Sequence, residues 1–168
     1  MLTRIATGID RAVDALGRAV AWLSLLLVLL AFGLVLARYA FGVGSIAGQD
    51  AVLWLHSIVF LLGAAYALRH DQHVRVDLLY QRFGPRGRAW VNLLGTAFFL
   101  LPFCLFMLWV SLDYVGASWG QREGSREPGG LPGVFLLKTL IPIAAGLLAA
   151  QGVALALRAV VTLRGTAR

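Results

Sequence analysis

The groups able to carry reactive chemistry in this 168-residue chain are three histidines, one cysteine, one lysine and eight carboxylates. His56 sits alone inside the apolar run 51–68. An imidazole there serves as a haem ligand, a proton relay or a hydrogen-bonding group between helices. A bis-histidine haem needs a second histidine at similar depth, but His70 and His73 fall in a basic connection beyond the run. An interhelical hydrogen bond is therefore the expectation for His56. Cys104 is single and lies inside another apolar block, which leaves no disulfide and no cysteine cluster. It reads as an inert, small apolar residue. Ser125 with Glu123 or Asp113 lacks a nearby histidine and makes no nucleophile triad. No stretch has the spacing of a metal site or a phosphate loop. The sequence thus predicts no catalytic, cofactor-binding or metal-binding residue.

The elements holding these groups are set by hydrophobicity. Apolar residues make up 60% of the chain and charged residues 14%, against roughly 25% charged in a soluble domain. The apolar residues form blocks near 20–37, 51–68, 89–110 and 134–157. Each is close to the ~17–25 residues that a helix needs to cross a bilayer, and none alternates in the ~10-residue segments of a membrane barrel. The fold class is therefore an all-α integral membrane protein with four transmembrane helices, a single membrane domain over 1–168. The net charge of +7 does not indicate nucleic acid, because the arginines cluster at the ends of the apolar blocks, where membrane topology places them.

Eleven of the fifteen Lys and Arg residues lie in the N-terminal segment, the 69–88 connection and the C-terminus. This bias places both termini and that connection in the cytoplasm, and the 38–50 and 111–133 loops on the periplasmic face of the inner membrane. Leu2, Ile5, Ile9, Ala12, Val13 and Leu16 recur at helical spacing, with Thr3, Arg4, Thr7, Asp10, Arg11, Asp14 and Arg18 opposite them. The pattern predicts an amphipathic helix over 1–18 lying in the cytoplasmic headgroup layer. A short cytoplasmic leader is the plainer alternative. No small-residue cleavage site follows, so the first block is read as retained.

Several residues are candidates for contacts between helices or subunits. Gln49 and Asp50 open the second span; Asp50 either complements the helix dipole or meets a partner subunit. Gly63, Ala64 and Ala67 form a small face at three- and four-residue spacing, which lets backbones approach. Beyond them Arg69, Asp71, His73, Arg75 and Asp77 are interleaved with Val74, Val76, Leu78, Leu79, Tyr80 and Phe83. That apolar density predicts a structured elbow with a short amphipathic helix near Asp77–Phe83, or else an interfacial loop serving topology alone. Pro102 and Pro142 predict kinks in spans three and four. Lys138, near the outer end of span four, is expected to snorkel to the interface. Ala145, Gly146, Ala149, Ala150 and Ala154 beside Gln151 give the clearest helix–helix surface. Whether the opposing helix belongs to this chain stays open. The polar stretch 111–133 reads as a turn-rich contact surface.

Gln49-Asp50, Gly63-Ala64-Ala65-Tyr66-Ala67, His73-Val74-Arg75-Val76-Asp77, Gly130-Leu131-Pro132, Lys138, Pro142 and Gln151 together resemble the small (Q-type) membrane subunit of TRAP, the tripartite ATP-independent periplasmic transporters. The likeness covers nearly the whole chain. Its most specific element is the H-V-R-V-D run, and Asp50 stands where that family often has Glu. The resemblance implies a large membrane subunit carrying the substrate and sodium sites, and a periplasmic binding protein that delivers an organic acid. It implies that this chain holds no cofactor and extends the static scaffold of an elevator transporter. The run Arg122-Glu123-Gly124-Ser125 with Pro128-Gly129-Gly130-Leu131-Pro132 looks like branches that handle 2-oxo acids or related monocarboxylates. The competing readings are a self-contained homo-oligomeric transporter, a membrane redox subunit and an anchoring or assembly protein. Proton coupling in the first needs a membrane-embedded carboxylate, whereas every Asp and Glu here is read at or beyond a span end. The missing histidine pair opposes the second. The third stays open.

Overall fold

In the computed structural model, which describes residues 2–72, 80 and 82–165, the chain is all helical among those residues. Helix α1 is Leu2–Phe41, α2 is Ile46–Arg69, α3 is Pro85–Gly95, α4 is Leu101–Gly120 and α5 is Val134–Gly165. A π-helical turn, Thr96–Leu100, joins α3 to α4 into one continuous rod. Four helical units, counting that rod as one, are long and apolar enough to cross a membrane. Phe32, Tyr39, Phe60, Phe99 and Trp109 are all more than 60% exposed. Water would not tolerate that outer surface, but hydrocarbon does.

All four helices run past the apolar blocks. The interfacial helix expected over 1–18 is not a separate element, since α1 is unbroken for 40 residues. Its buried positions are Ala6, Val13, Gly17 and Val20, a seam with coiled-coil spacing. That seam faces other helices of the chain, not headgroups. α4 continues to Gly120, so Asp113 lies on a helix and the true loop begins at Gln121. α5 runs through Pro142 without interruption. Pro102 sits just inside α4, directly after the π-helical turn, where the Leu101 amide donates to the Thr96 carbonyl five residues back. The expected disturbance is thus a local change of hydrogen-bond register. A proline cannot donate to the preceding turn, and a π turn is one way to absorb that loss.

α5 packs against every other helix, and α1 also packs on α2. This central place accounts for α5's content of buried small residues: Ala144, Ala145, Gly152, Ala154 and Ala159. With no hydrophobic drive between helices in lipid, close backbone approach is what makes the contact. A Cβ on Gly152 would come within 2.9 Å of Leu100 Cδ2 and 3.4 Å of the Thr96 methyl. On α1, the Tyr66 ring of α2 occupies the space where a Gly17 Cβ would go. Two expected close-approach positions are not of this kind. Gly63 and Gly146 both have open space around a built Cβ, and the buried residues of α2 are Ala65 and Leu68. A small-residue pattern identifies a helix that can pack closely, but it does not fix the helix's rotation.

The elbow residues His73, Arg75 and Asp77 lie outside the described residues, as does most of the short helix expected near Asp77–Phe83. Of that stretch, Tyr80 is tied to α3 by a hydrogen bond from Asn92 Nδ2 to its hydroxyl, at 3.1 Å.

Candidate functional site

The polar side chains gather at the two ends of the bundle. The end that carries residues 2–18 and 158–165 holds a network across α1, α2 and α5. Asp10 Oδ2 pairs with Arg158 Nη1 at 2.5 Å, and Asp10 Oδ1 accepts from Gln151 Nε2 at 3.1 Å. Arg69 pairs with Asp14 at 2.5 Å and also donates to the Asp10 carbonyl. His70 Nε2 lies 3.1 Å from the other Asp14 oxygen, and its ring packs against Tyr66 with centroids 4.3 Å apart. Gln151 is fully buried, and its Oε1 has no hydrogen-bond donor among the described residues.

Arg69 and Gln151, both expected at interfaces, are thus brought together through residues that the sequence reading assigned elsewhere. The sequence pattern puts Asp10 and Asp14 on a headgroup-facing surface. The signal that could have moved them inward was their register: Asp10 falls in line with Ala6, Val13 and Gly17, so a helix burying those residues carries the carboxylate with them.

The opposite end is organised by the 121–133 loop. Lys138 reaches a partner in that loop: it donates to Glu123, and its ammonium lies 4.1 Å from the centroid of the Tyr114 ring. Glu123 Oε2 also accepts from Ser118 Oγ at 2.7 Å. The Lys138 hydrogen bond, and then the Ser118 one, hold the Glu123 carboxyl below the usual carboxylate range. Trp119 Nε1 donates to Thr139 Oγ1 at 2.9 Å, and its ring meets Phe135 edge-on at 4.6 Å.

Asp50 is not the cap of α2. Ser45 is, with Oγ accepting from the Gly48 amide at 3.1 Å, because α2 starts one turn earlier than its apolar block. Asp50 Oδ2 instead accepts from the Leu131 amide at 2.9 Å. Gly130 has no room for a side chain there, since a Cβ would lie 2.5 Å from Asp50 Oδ2. Gln49 is exposed. With Arg38 and Ser45 it lines the polar end of a groove of about 260 Å³ between α1 and α2.

His56 is exposed and stacks on Phe60, with ring centroids 6.3 Å apart and planes 13° from parallel. Among the described residues His56 has no interhelical hydrogen-bond partner. Ala67, like Gly63, is half-buried.

Both polar clusters are made of paired charges and hydrogen bonds that tie helices and a loop together, with the Gln151 Oε1 left over in the first. Among the described residues no group of three or more His, Cys, Asp or Glu is placed to hold a metal. The chemistry on offer is structural: each cluster fixes helix ends that would otherwise splay.

Residues 27–162 match the family described as "Tripartite ATP-independent periplasmic transporters, DctQ component". No curated protein and no solved structure matches the chain.

Proposed function

The chain belongs to the DctQ component family of the tripartite ATP-independent periplasmic transporters, and we propose that it is a static scaffold subunit of a sodium-coupled organic-acid transporter. As a member it is a multi-pass membrane protein and the small permease subunit of a tripartite ATP-independent periplasmic transporter. The finer reading is that it widens the immobile part of the large membrane subunit while a transport domain moves past in an elevator motion. A periplasmic binding protein would supply the carboxylate substrate, and sodium would bind in the large subunit. On this reading, and by the arginine bias, the ends at Leu2 and Gly165 would face the cytoplasm and the 121–133 loop the periplasmic side of the inner membrane.

The observation that supports this reading best is the double clasp. Asp10 with Arg158 holds one end, Glu123 with Lys138 holds the other, and α5 is packed against all the other helices between them. A moving or gated subunit draws on weakly held elements; here the ends of the helices are cross-tied.

The test is uptake in proteoliposomes containing the large subunit with and without this chain, each supplied with binding protein and a sodium gradient. The scaffold reading requires transport to depend on the chain. It also requires transport to survive disulfide cross-links that fix this chain to the immobile part of the large subunit. Transport abolished by those cross-links would refute it. Recovery of the chain only with copies of itself would favour the self-contained homo-oligomer.

A further inference from the structure

The outer surface of α2 carries a polar group that lipid cannot satisfy. Asp50 and Arg69 bracket the apolar part of this helix. The 19 helical steps from Asp50 to Arg69 span about 28 Å at 1.5 Å each, close to the ~30 Å thickness of a hydrocarbon core. His56 lies about 9 Å inside from Asp50 on that scale. Its imidazole is too short to reach the interface as a lysine stem would. It is exposed on the chain's surface, and the ring contact it makes is with Phe60, at 6.3 Å between centroids. Polar groups at such depth are costly in lipid and turn inward, toward protein or a water-filled cavity.

The neighbours of His56 on that surface follow a strict pattern. Gln49, Leu53, His56, Phe60, Gly63 and Ala67 are spaced alternately four and three residues apart, the seam of a helix that receives another helix. Gln49, Leu53, His56 and Phe60 are exposed, and Gly63 and Ala67 are half-buried. Gly63 has nothing within 4 Å of a built Cβ, so its small surface is not used inside the chain. The other exposed faces differ. The surface of α1 through Leu25, Leu29, Phe32 and Leu36, and that of α4 through Phe103, Phe106 and Val110, is apolar and needs only acyl chains.

We infer that this stripe of α2 seats a transmembrane helix of the large subunit, and that the helix carries a hydrogen-bonding side chain at the depth of His56. The inference rests on the proposed association with a large membrane subunit and names where it occurs. The partner helix crosses at the shallow angle of a 3.5-residue seam, comes closest at Gly63 and Ala67, and pairs with the imidazole between Leu53 and Phe60. A single interhelical hydrogen bond in a membrane contributes modestly, so His56 sets register and partner choice while packing supplies most of the affinity.

The experiment places a photo-crosslinking benzoylphenylalanine at Leu53 or Phe60 of the full chain, co-expressed with its large subunit. Phe99 and Trp109, on the far rod, serve as controls. The expected result is an adduct with the large subunit from 53 and 60 and none from 99 and 109. Alongside, His56→Leu should weaken retention of the large subunit about threefold to tenfold, and His56→Gln should restore part of it. The seam is overturned if the large subunit co-purifies with the unmodified chain but cross-links only from 99 or 109, or from none of the four. Adducts between two copies of this chain at 53 and 60 overturn it in favour of self-association. Failure of the unmodified chain to retain any large subunit defeats the association itself, which separates the two claims.

Discussion

Asp10 and Arg158 are 148 positions apart in sequence, and their side chains meet at 2.5 Å. The pair joins the first helix to the last, and Gln151 reaches the same carboxylate from two turns deeper in α5. Arg69 then brings α2 into the contact through the Asp10 carbonyl and the Asp14 side chain. Two carboxylates and one carbonyl of α1 therefore tie three helices together at the end of the bundle that holds both chain ends.

Removing that carboxylate should cost more than removing its cation. Asp10→Ala leaves both the Arg158 guanidinium and the buried Gln151 amide without an acceptor, for an expected loss of about 2–3 kcal/mol. Arg158 is partly exposed, with 38% of its side chain accessible, and Arg158→Ala leaves Asp10 with Gln151 and Arg69. That loss should be about 1 kcal/mol. Unfolding in mixed micelles measures both. The double variant should lose clearly less than the two single losses together, because the residues share one network. Strict additivity would mean that the pair is not coupled.

Glycine positions should divide by what faces them. Gly17→Ala pushes a methyl into the Tyr66 ring and should cost about 1–3 kcal/mol. Gly152→Ala meets the end of the Leu100 side chain, which can turn away, so its cost should be about 1 kcal/mol or less. Gly146→Ala meets nothing within 4 Å and should gain a few tenths of a kcal/mol, up to about 1, from helix propensity. Thermal unfolding of the three variants tests the order; a Gly146→Ala loss equal to that of Gly17→Ala would contradict it.

The 121–133 loop should depend on Asp50. Its carboxylate is the acceptor for the Leu131 amide, and Ser125 closes the loop by donating its own amide to the Leu131 carbonyl at 3.1 Å. Asp50→Ala should release Leu131 at a cost of about 1 kcal/mol and raise tryptic cleavage at Arg122 or Arg126 about fivefold. Unchanged cleavage would mean that the loop is held by its own turns, Gly129 and Gly133 with their positive φ of 81° and 96° included.

The sequence made the four spans and the all-helical class legible because hydrocarbon leaves the chain few choices. It did not show where the helices end, since charged segments extend them once their charges are paired. Asp10 and Asp14 sit among Arg4, Arg11 and Arg18 and read as one solvated face. Their partners Arg69 and Arg158 lie in other helices, and only the packed bundle reveals the match. Lys138 was visible as a lone cation near a span end, but its acceptor, Glu123, lies 15 residues earlier across a turn-rich loop. The α5 surface was visible as a class of residue. The choice of Gly152 over Gly146 for the close contact depends on helix rotation, and a stripe with small residues on more than one side does not encode that.

The clasp at the loop end should make stability depend on pH in one direction. Glu123 is held below the usual carboxylate range by the hydrogen bond from Lys138 and then that from Ser118. A carboxyl whose folded pKa is lowered takes up its proton more readily in the unfolded chain. Its contribution is therefore complete above the ordinary glutamate value of about 4.3 and is lost as pH falls through the lowered folded value. The melting temperature of the native chain minus that of Glu123→Gln isolates this group from the other carboxylates. The difference should be constant from pH 7 to about pH 5 and shrink progressively below about pH 4. Lys138→Met removes the main cause of the lowered pKa. In that background the effect of Glu123→Gln should be smaller and should vary less with pH. A difference between native and Glu123→Gln proteins that is the same at pH 7 and pH 3 would show that the Glu123–Lys138 contact is geometry without coupling, and the loop end of the bundle would then depend on its other contacts, those of Trp119 with Thr139 and of Asp50 with Leu131 among them.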